Sequence, residues 1–251
     1  MEENSQYILN SLDNALSILN LYFDRDELTA AEAGRLLGIS RTAAFRLLVT
    51  LEAKGYLTRG ENSAYRLGIK VFSLGQLAQK RMVLTELVRP YLNELADKTG
   101  ETAHLAVMDG PYNVVFVDKA LGRLNLKMDT VLGHRRWAHQ TATGKAMIAW
   151  QGETFYRQYV KTADMKSLTP TTITDYEQLV TEMERIRELG WARDNEESEL
   201  GLSCYAVPIF GAAAQPVAAI SCSGPTTRMV VNRERHLVSL KSAAKRISAN
   251  L

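Results

Sequence analysis

Gly38 and Ser40 constrain this chain more than any other pair, because they end one helix and start another within three positions. Residues 30–37 carry a helical pattern, and Gly38 suits the left-handed conformation that follows a helix end. Ser40 is a good N-cap, since its side-chain oxygen accepts an orphan amide of the first turn. A further helix is therefore predicted from Arg41 to about Lys54, closed by Gly55. Upstream, Leu12, Ala15, Leu16, Leu19 and Tyr22 recur at steps of three and four and mark an amphipathic first helix that ends before Asp24. Two helices joined by a short glycine-containing turn are a helix-turn-helix outline.

At about 100° per residue the predicted helix from Arg41 sorts its side chains onto two faces. Ala44, Leu47, Leu48 and Leu51 fall within a core arc, and Arg41, Thr42, Phe45, Arg46 and Val49 fall opposite. Polar and basic side chains at a helix start are what a major-groove reader needs, because those residues approach base edges and phosphates. The competing reading is a solvated surface helix with one exposed aromatic. The β-prone runs Tyr56-Leu57-Thr58-Arg59 and Ala64-Tyr65-Arg66-Leu67 flank the turn-like Gly60-Glu61-Asn62-Ser63 and predict a hairpin, or wing. Its Arg59 and Arg66 are placed to meet a sugar-phosphate backbone, a contact that positions without specifying sequence.

The net charge of +2 hides a segregation. Residues 1–33 carry seven acids and only Arg25 as a base, whereas residues 34–81 carry nine bases against Glu52 and Glu61. That local excess of seven positive charges is of the kind that draws a phosphate backbone. A chain of 251 residues, 46% hydrophobic and 23% charged, is expected to form two globular domains. No apolar run approaches the roughly 18 residues of a membrane span. The start, Met1-Glu2-Glu3-Asn4-Ser5, lacks the basic and apolar stretches of a secretory signal, so a cytoplasmic location and no membrane partner are expected.

After Gly68, a helical stretch from Ile69 to about Arg81 has a broad apolar face and reads as a linker helix and dimer surface. The remainder opens with a helix over residues 84–98, where Pro90 is expected to introduce a kink. Strands are predicted at residues 102–108, 114–119, 124–128, 191–193, 204–210 and 217–223. Helices are predicted at 143–150, 153–159, 176–189 and 233–251. This mixture is α+β rather than a repeating βαβ unit. Cys204 and Cys222 stand in apolar contexts without CxxC spacing and read as buried thiols. His104, His134, His139 and His236 lack metal spacing, although His134 and His139, five apart, leave a metal pair as the weaker reading. No cofactor is called for.

At this point the chain resembles the isocitrate-lyase-regulator (IclR) family of bacterial transcription factors, over essentially its whole length. The resemblance is carried by Ser40-Arg41-Thr42-Ala43-Ala44-Phe45-Arg46-Leu47-Leu48 with Leu51 and Gly55-Tyr56-Leu57, and by Tyr65-Arg66-Leu67-Gly68. Further on it is carried by Thr141-Ala142-Thr143-Gly144-Lys145-Ala146, by Asp194-Asn195-Glu196-Glu197 with Gly201 and Cys204, and by Ser221-Cys222-Ser223-Gly224-Pro225. It implies a winged helix-turn-helix over residues 1–68, a linker helix over 69–82 and a GAF-like α/β effector and oligomerisation domain over 83–251. It also implies a homodimer or a dimer of dimers on a palindromic double-stranded DNA operator, acting as a repressor of a catabolic operon. The family commonly has a hydroxyl residue where Ala43 stands, and here Thr42 is the neighbouring hydroxyl.

Matched by position, the effector would meet Ala142, Thr143, Asp194, Cys204, Ser221 and Ser223. Amides at a helix start with converging hydroxyls favour a carboxylate, and Asp194 suits substrate hydroxyls or amines, which points to a small hydroxylated or keto organic acid or a sugar acid. Leu126 and Met128, on the predicted strand over 124–128, would supply apolar wall, and Arg135 and Arg136 would either attract an anion or simply be solvated. The plainer readings are a polar strand face for Ser221 and Ser223, a turn cap or an Arg193 pair for Asp194, and buried filler for Cys204. Two other functions stay open on the residues alone. One is an enzyme built on the α+β domain with an N-terminal dimerisation module, though no GxSxG, Walker loop or HExxH occurs. The other is a module whose basic segment binds an acidic protein.

Overall fold

Helix α1 (Asn10–Asn20) divides its apolar stripe: Ile18 is buried, whereas Leu12 and Leu16 stay exposed. A 3-10 turn over Leu21–Phe23 then buries Tyr22. Helix α2 (Ala30–Leu37) starts at a capping box, in which the Thr29 hydroxyl accepts the Glu32 amide and the Glu32 carboxylate accepts the Thr29 amide at 2.9 Å. It stops at Gly38, whose φ of 66° is the left-handed conformation expected there. Helix α3 (Arg41–Ala53) begins at Ser40, whose Oγ accepts the Ala43 amide. Strands β1 (Leu57–Arg59) and β2 (Tyr65–Leu67) form the antiparallel hairpin, with Arg59 opposite Tyr65, and Leu28 bridges to Tyr65 from the far side. Helix α4 (Ile69–Lys80) follows as predicted, and the expected end at Arg81 lies outside the described residues.

The structure is a computed structural model and describes residues 7–80 and 82–251. It divides into two compact units, Met1–Met82 and Val83–Leu251. Ile18, Leu28, Ala44, Leu48, Leu57 and Tyr65 share the core of the first. On α3 that core takes Ala44, Leu48 and Leu51, with Leu47 only half-buried.

In the second unit α5 (Val83–Thr99) runs helically through Pro90. One antiparallel sheet follows, built from β3 (Thr102–Asp109), β4 (Asn113–Ala120), β5 (Arg135–Trp137), β6 (Ala192–Asn195), β7 (Leu202–Phe210) and β8 (Pro216–Pro225) in the order β5-β4-β3-β8-β7-β6. Between β5 and β6 lie α6 (Ala142–Ile148), α7 (Glu153–Thr162) and α8 (Tyr176–Leu189), and α9 (Thr226–Val231) and α10 (Arg233–Ser248) close the chain. Because strand residues alternate in direction, Ala106, Phe116, Ala206 and Ala219 face a core with α6, α7 and α8. Leu105, Tyr205, Val207 and Ile220 face a second core with α5 and α10.

The strand predicted over 124–128 is absent, and that segment is a loop. Its carbonyls are satisfied by side chains instead of a ladder: Thr102 Oγ1 donates to Met128 O at 2.7 Å and Arg228 Nη2 to Leu126 O at 2.6 Å. The edge position beside β4 goes to β5, which pairs Arg135–Trp137 with Asn113–Val115. The helix predicted to run to Leu251 ends at Ser248, and α9 is an additional short helix.

Candidate nucleic-acid interface and effector cavity

On α3, Arg41, Thr42, Phe45, Arg46 and Val49 are exposed as expected, Phe45 at 44%. Phe45 is the aromatic of that exposed face and is accessible to a partner. The structure brings Arg41, Thr42, Phe45 and the wing residue Arg59 onto one concave surface of about 750 Å³, between the starts of α2 and α3 and the hairpin. Arg46 stands apart, in a groove against α1 with Leu12, Ala43 and Leu47. The missing hydroxyl at Ala43 therefore falls on that flank. Arg59 Nη2 donates to Ser63 Oγ at 3.3 Å, whereas Arg66 turns to Glu27, its guanidinium 3.2 Å from the carboxylate. Both members of the Arg66 pair are exposed, and such a pair contributes little.

In the second unit a cavity of about 80 Å³ lies at the start of α6. Five of the six effector residues line it: Ala142, Thr143, Asp194, Cys204 and Ser223. The first amides of a helix have no partner within it. At α6 the Thr141 hydroxyl takes that of Gly144 at 3.0 Å, and Ala142 and Thr143, which carry the two before it, line the cavity. Gly144 is required there, because a Cβ would lie 2.4 Å from the carbonyl oxygen of Ala138. Phe116, Thr141, Ser198, Met128, Thr130, Arg136, Glu199 and Leu202 also line it, and the last five are shared with a wider cleft of about 530 Å³. Leu126 lines only this outer cleft, on a loop rather than a strand. Arg136 lines both spaces, whereas Arg135 pairs with Asp109 at 2.7 Å.

Ser221 does not reach the cavity. It lies two residues from Ser223 on the same face of β8 and is fully buried. Opposite it on β3 is His104, also fully buried, with neither ring nitrogen hydrogen-bonded among the described residues, its ring 5.2 Å from that of Phe116. Burial lowers the His104 pKa to about 3 and that of His139 to about 4, so both rings are neutral at neutral pH. His139 is held by Tyr159, whose hydroxyl is 2.8 Å from Nδ1, whereas His134 lines the outer cleft. Among the described residues no three metal-ligating side chains come together.

Asp194 caps a turn, as its plainer reading had it. Oδ1 accepts the Glu197 amide and Oδ2 the Ser198 hydroxyl, each at 2.7 Å. Burial pushes its carboxyl above the usual range, against the charge of Lys145. Cys204 accepts the Ser223 hydroxyl at 3.0 Å, and burial pushes its thiol up to about 12, so it is cavity wall rather than nucleophile.

Sequence reasoning missed what holds this turn. Lys145 is fully buried, and its Nζ donates to both carboxylate oxygens of Glu197 at 2.6 Å, with Glu182 at 3.4 Å. Burial raises the Glu197 pKa against the attraction of Lys145. At Glu182 burial also acts upward, but the hydrogen bonds and charges of Arg185 and Lys145 outweigh it and hold the carboxyl below its usual range. The available signal was local: Lys145 is the one charged residue between Ala142 and Trp150, and a lone cation in an apolar helix needs an anion.

Residues 76–249 match the family described as bacterial transcriptional regulator IclR C-terminal, and residues 11–61 match the IclR helix-turn-helix domain. The HTH-type transcriptional regulator XynR of Escherichia coli (strain K12) is 34% identical over 88% of this chain and 88% of its own length. KdgR of the same organism, also an HTH-type transcriptional regulator, is 32% identical over 97% of this chain and 93% of its own. The crystal structure of the Thermotoga maritima IclR, 33% identical, matches with a TM-score of 0.75 over 96% of this chain and 98% of its own. These proteins are regulators, and the reading as an enzyme is not supported. The chain belongs to the IclR family of helix-turn-helix transcriptional regulators.

Proposed function

We propose that this regulator represses a catabolic operon from the cytoplasm, as a homodimer or dimer of dimers on a palindromic operator, under the control of a small hydroxy, keto or sugar acid. In this reading residues 1–68 hold the DNA, 69–82 link and dimerise, and 83–251 sense the effector. Arg41, Thr42, Phe45 and Arg46 meet base edges and phosphates, and Arg59 and Arg66 meet the backbone beside the groove. The effector carboxylate lies against Ala142 and Thr143, near Arg136, with Asp194, Cys204 and Ser223 around its remaining atoms and Ser221 behind them.

The observation that carries the reading is the shared concave surface of Arg41, Thr42, Phe45 and Arg59, exposed side chains on a helix start next to a basic wing. The effector half rests on the hydroxyls, cation and helix start that converge on one small cavity.

The test takes a duplex selected by the full chain from a random pool and measures affinity against salt by fluorescence anisotropy. The affinity is expected to fall steeply, as counterion release requires. A thermal-shift screen of sugar acids and small keto acids then identifies compounds that raise the melting temperature, and each is added to the DNA assay. Operator affinity untouched by every compound that binds sinks the effector half and leaves the DNA half standing.

A further inference from the structure

We propose that the wing and the start of α2 form a seat for a DNA backbone phosphate, with the Tyr65 hydroxyl as its neutral hydrogen-bond donor. Tyr65 is 1% exposed, and its backbone is fully paired: its amide donates to Leu28 O, and its carbonyl accepts both the Leu28 amide and the Tyr22 hydroxyl. Its own hydroxyl is the exception, buried and without a partner among the described residues. Buried hydroxyls are almost always paired, so this one is able to take a partner from outside the chain.

Tyr65 lines the concave surface together with Thr29, Ala30, Ala31, Arg41 and Arg59. The Arg59 guanidinium lies 5.9 Å from the centre of the Tyr65 ring, and its long bond to Ser63 is one that a phosphate oxygen can replace. Ala30 and Ala31 open α2, and the Thr29 hydroxyl takes the later amide of Glu32, so the two preceding amides belong to residues of this surface. The Glu32 carboxylate is folded back on Thr29, and none of the described lining residues is acidic. A concavity with two arginines and a helix start, one of whose lining residues carries a buried unpaired hydroxyl, fits a phosphate diester. Arg66, paired with Glu27, is not among its lining residues.

The seat rests on the reading of this unit as the DNA-binding one, and its test separates the two. The full chain is titrated with the duplex that it selects from a random pool and with a scrambled duplex of equal composition. Tyr65→Phe is expected to weaken both by the same factor, roughly tenfold, the contribution of a hydrogen bond to a charged acceptor. The slope of log affinity on log salt stays unchanged because no charge is removed, whereas Arg59→Ala lowers it by about one. The melting temperature of Tyr65→Phe does not fall, since the hydroxyl gives up no bond within the fold.

Ala31→Glu is the second variant. An acid at a helix start favours the helix but repels a phosphate, so this protein folds and loses affinity for both duplexes, more than Ala31→Gln does. Wild-type affinity in Tyr65→Phe and Ala31→Glu, in a chain whose binding is weakened by Arg46→Ala, a recognition-helix residue outside the seat, overturns the seat and leaves the recognition helix in place. A drop in the melting temperature of Tyr65→Phe overturns it equally, because the hydroxyl then serves the fold. If Arg46→Ala also binds normally, the DNA-binding face itself is misassigned and the seat falls with it.

Discussion

Replacing Lys145 by methionine removes one charge from a place where two carboxylates depend on it. Methionine keeps most of the lysine stem, so the packing change is small and the electrostatic change dominates. Glu197 has a side chain 8% exposed, and Asp194 beside it is likewise buried, so the variant keeps both carboxylates buried without their cation. Removing one partner of a buried ion pair costs about 3–5 kcal/mol. In a unit of this size each kcal/mol shifts the melting temperature by about 2–4 °C, so a loss of roughly 10 °C at pH 7 is expected by scanning calorimetry.

The pH dependence of that loss has a definite sign. Burial already lifts the Glu197 and Asp194 carboxyls above their ordinary range, and Lys145 opposes it at both. Without Lys145 their folded-state values rise further above the unfolded ones. The folded protein then takes up protons that the unfolded chain does not, so the deficit relative to wild type shrinks as pH falls from neutrality toward the ordinary carboxylate range. Adding Glu197→Gln to the variant restores most of the stability, because neutral groups replace the whole pair. Melting within a degree or two of wild type at pH 7, or a deficit that widens on acidification, refutes the argument.

Phe45→Ala and Arg41→Ala are expected to weaken operator binding, by about 1–3 kcal/mol where a bidentate base contact is lost, with little change in melting temperature. Gel shift and calorimetry on the same preparations check this, and a large stability loss would place these side chains in the core. Gly144→Ala cannot keep its helix start against Ala138, so it loses both thermal stability and the ligand-induced shift in the acid screen. For His104, whose folded pKa is about 3 against 6.5, the unfolded chain binds the extra proton. Stability is therefore full above pH 6.5 and is lost as pH falls toward 3, by up to about 1.4 kcal/mol per pH unit. His104→Phe should flatten this acid limb in a denaturation series, and an unchanged limb would show that the ring is not buried neutral.

What the chain declares locally and what it hides divide along a physical line. Gly38 and Ser40 each act on their own backbone or on the next turn, so both ends of the helix-turn-helix were readable before any contact was known. The hairpin followed from its glycine and β-prone runs for the same reason. The loop over 124–128 misled because its composition suits a strand while its carbonyls are taken by Thr102 and Arg228, residues 26 and 102 positions away. The cavity shows both cases. Ala142, Thr143, Asp194, Cys204 and Ser223 could be matched through motif resemblance, but only the position of the cavity along β8 separates Ser223, at its wall, from Ser221, two residues further along the same strand face. Lys145 and Glu197 lie 52 positions apart, and neither reveals its partner alone. Yet a cation inside an apolar helix is costly unless paired, and that cost is written in the local sequence. The residues that hold the cavity in shape are thus best sought where the local pattern is violated, and Lys145 is the place where this chain violates it.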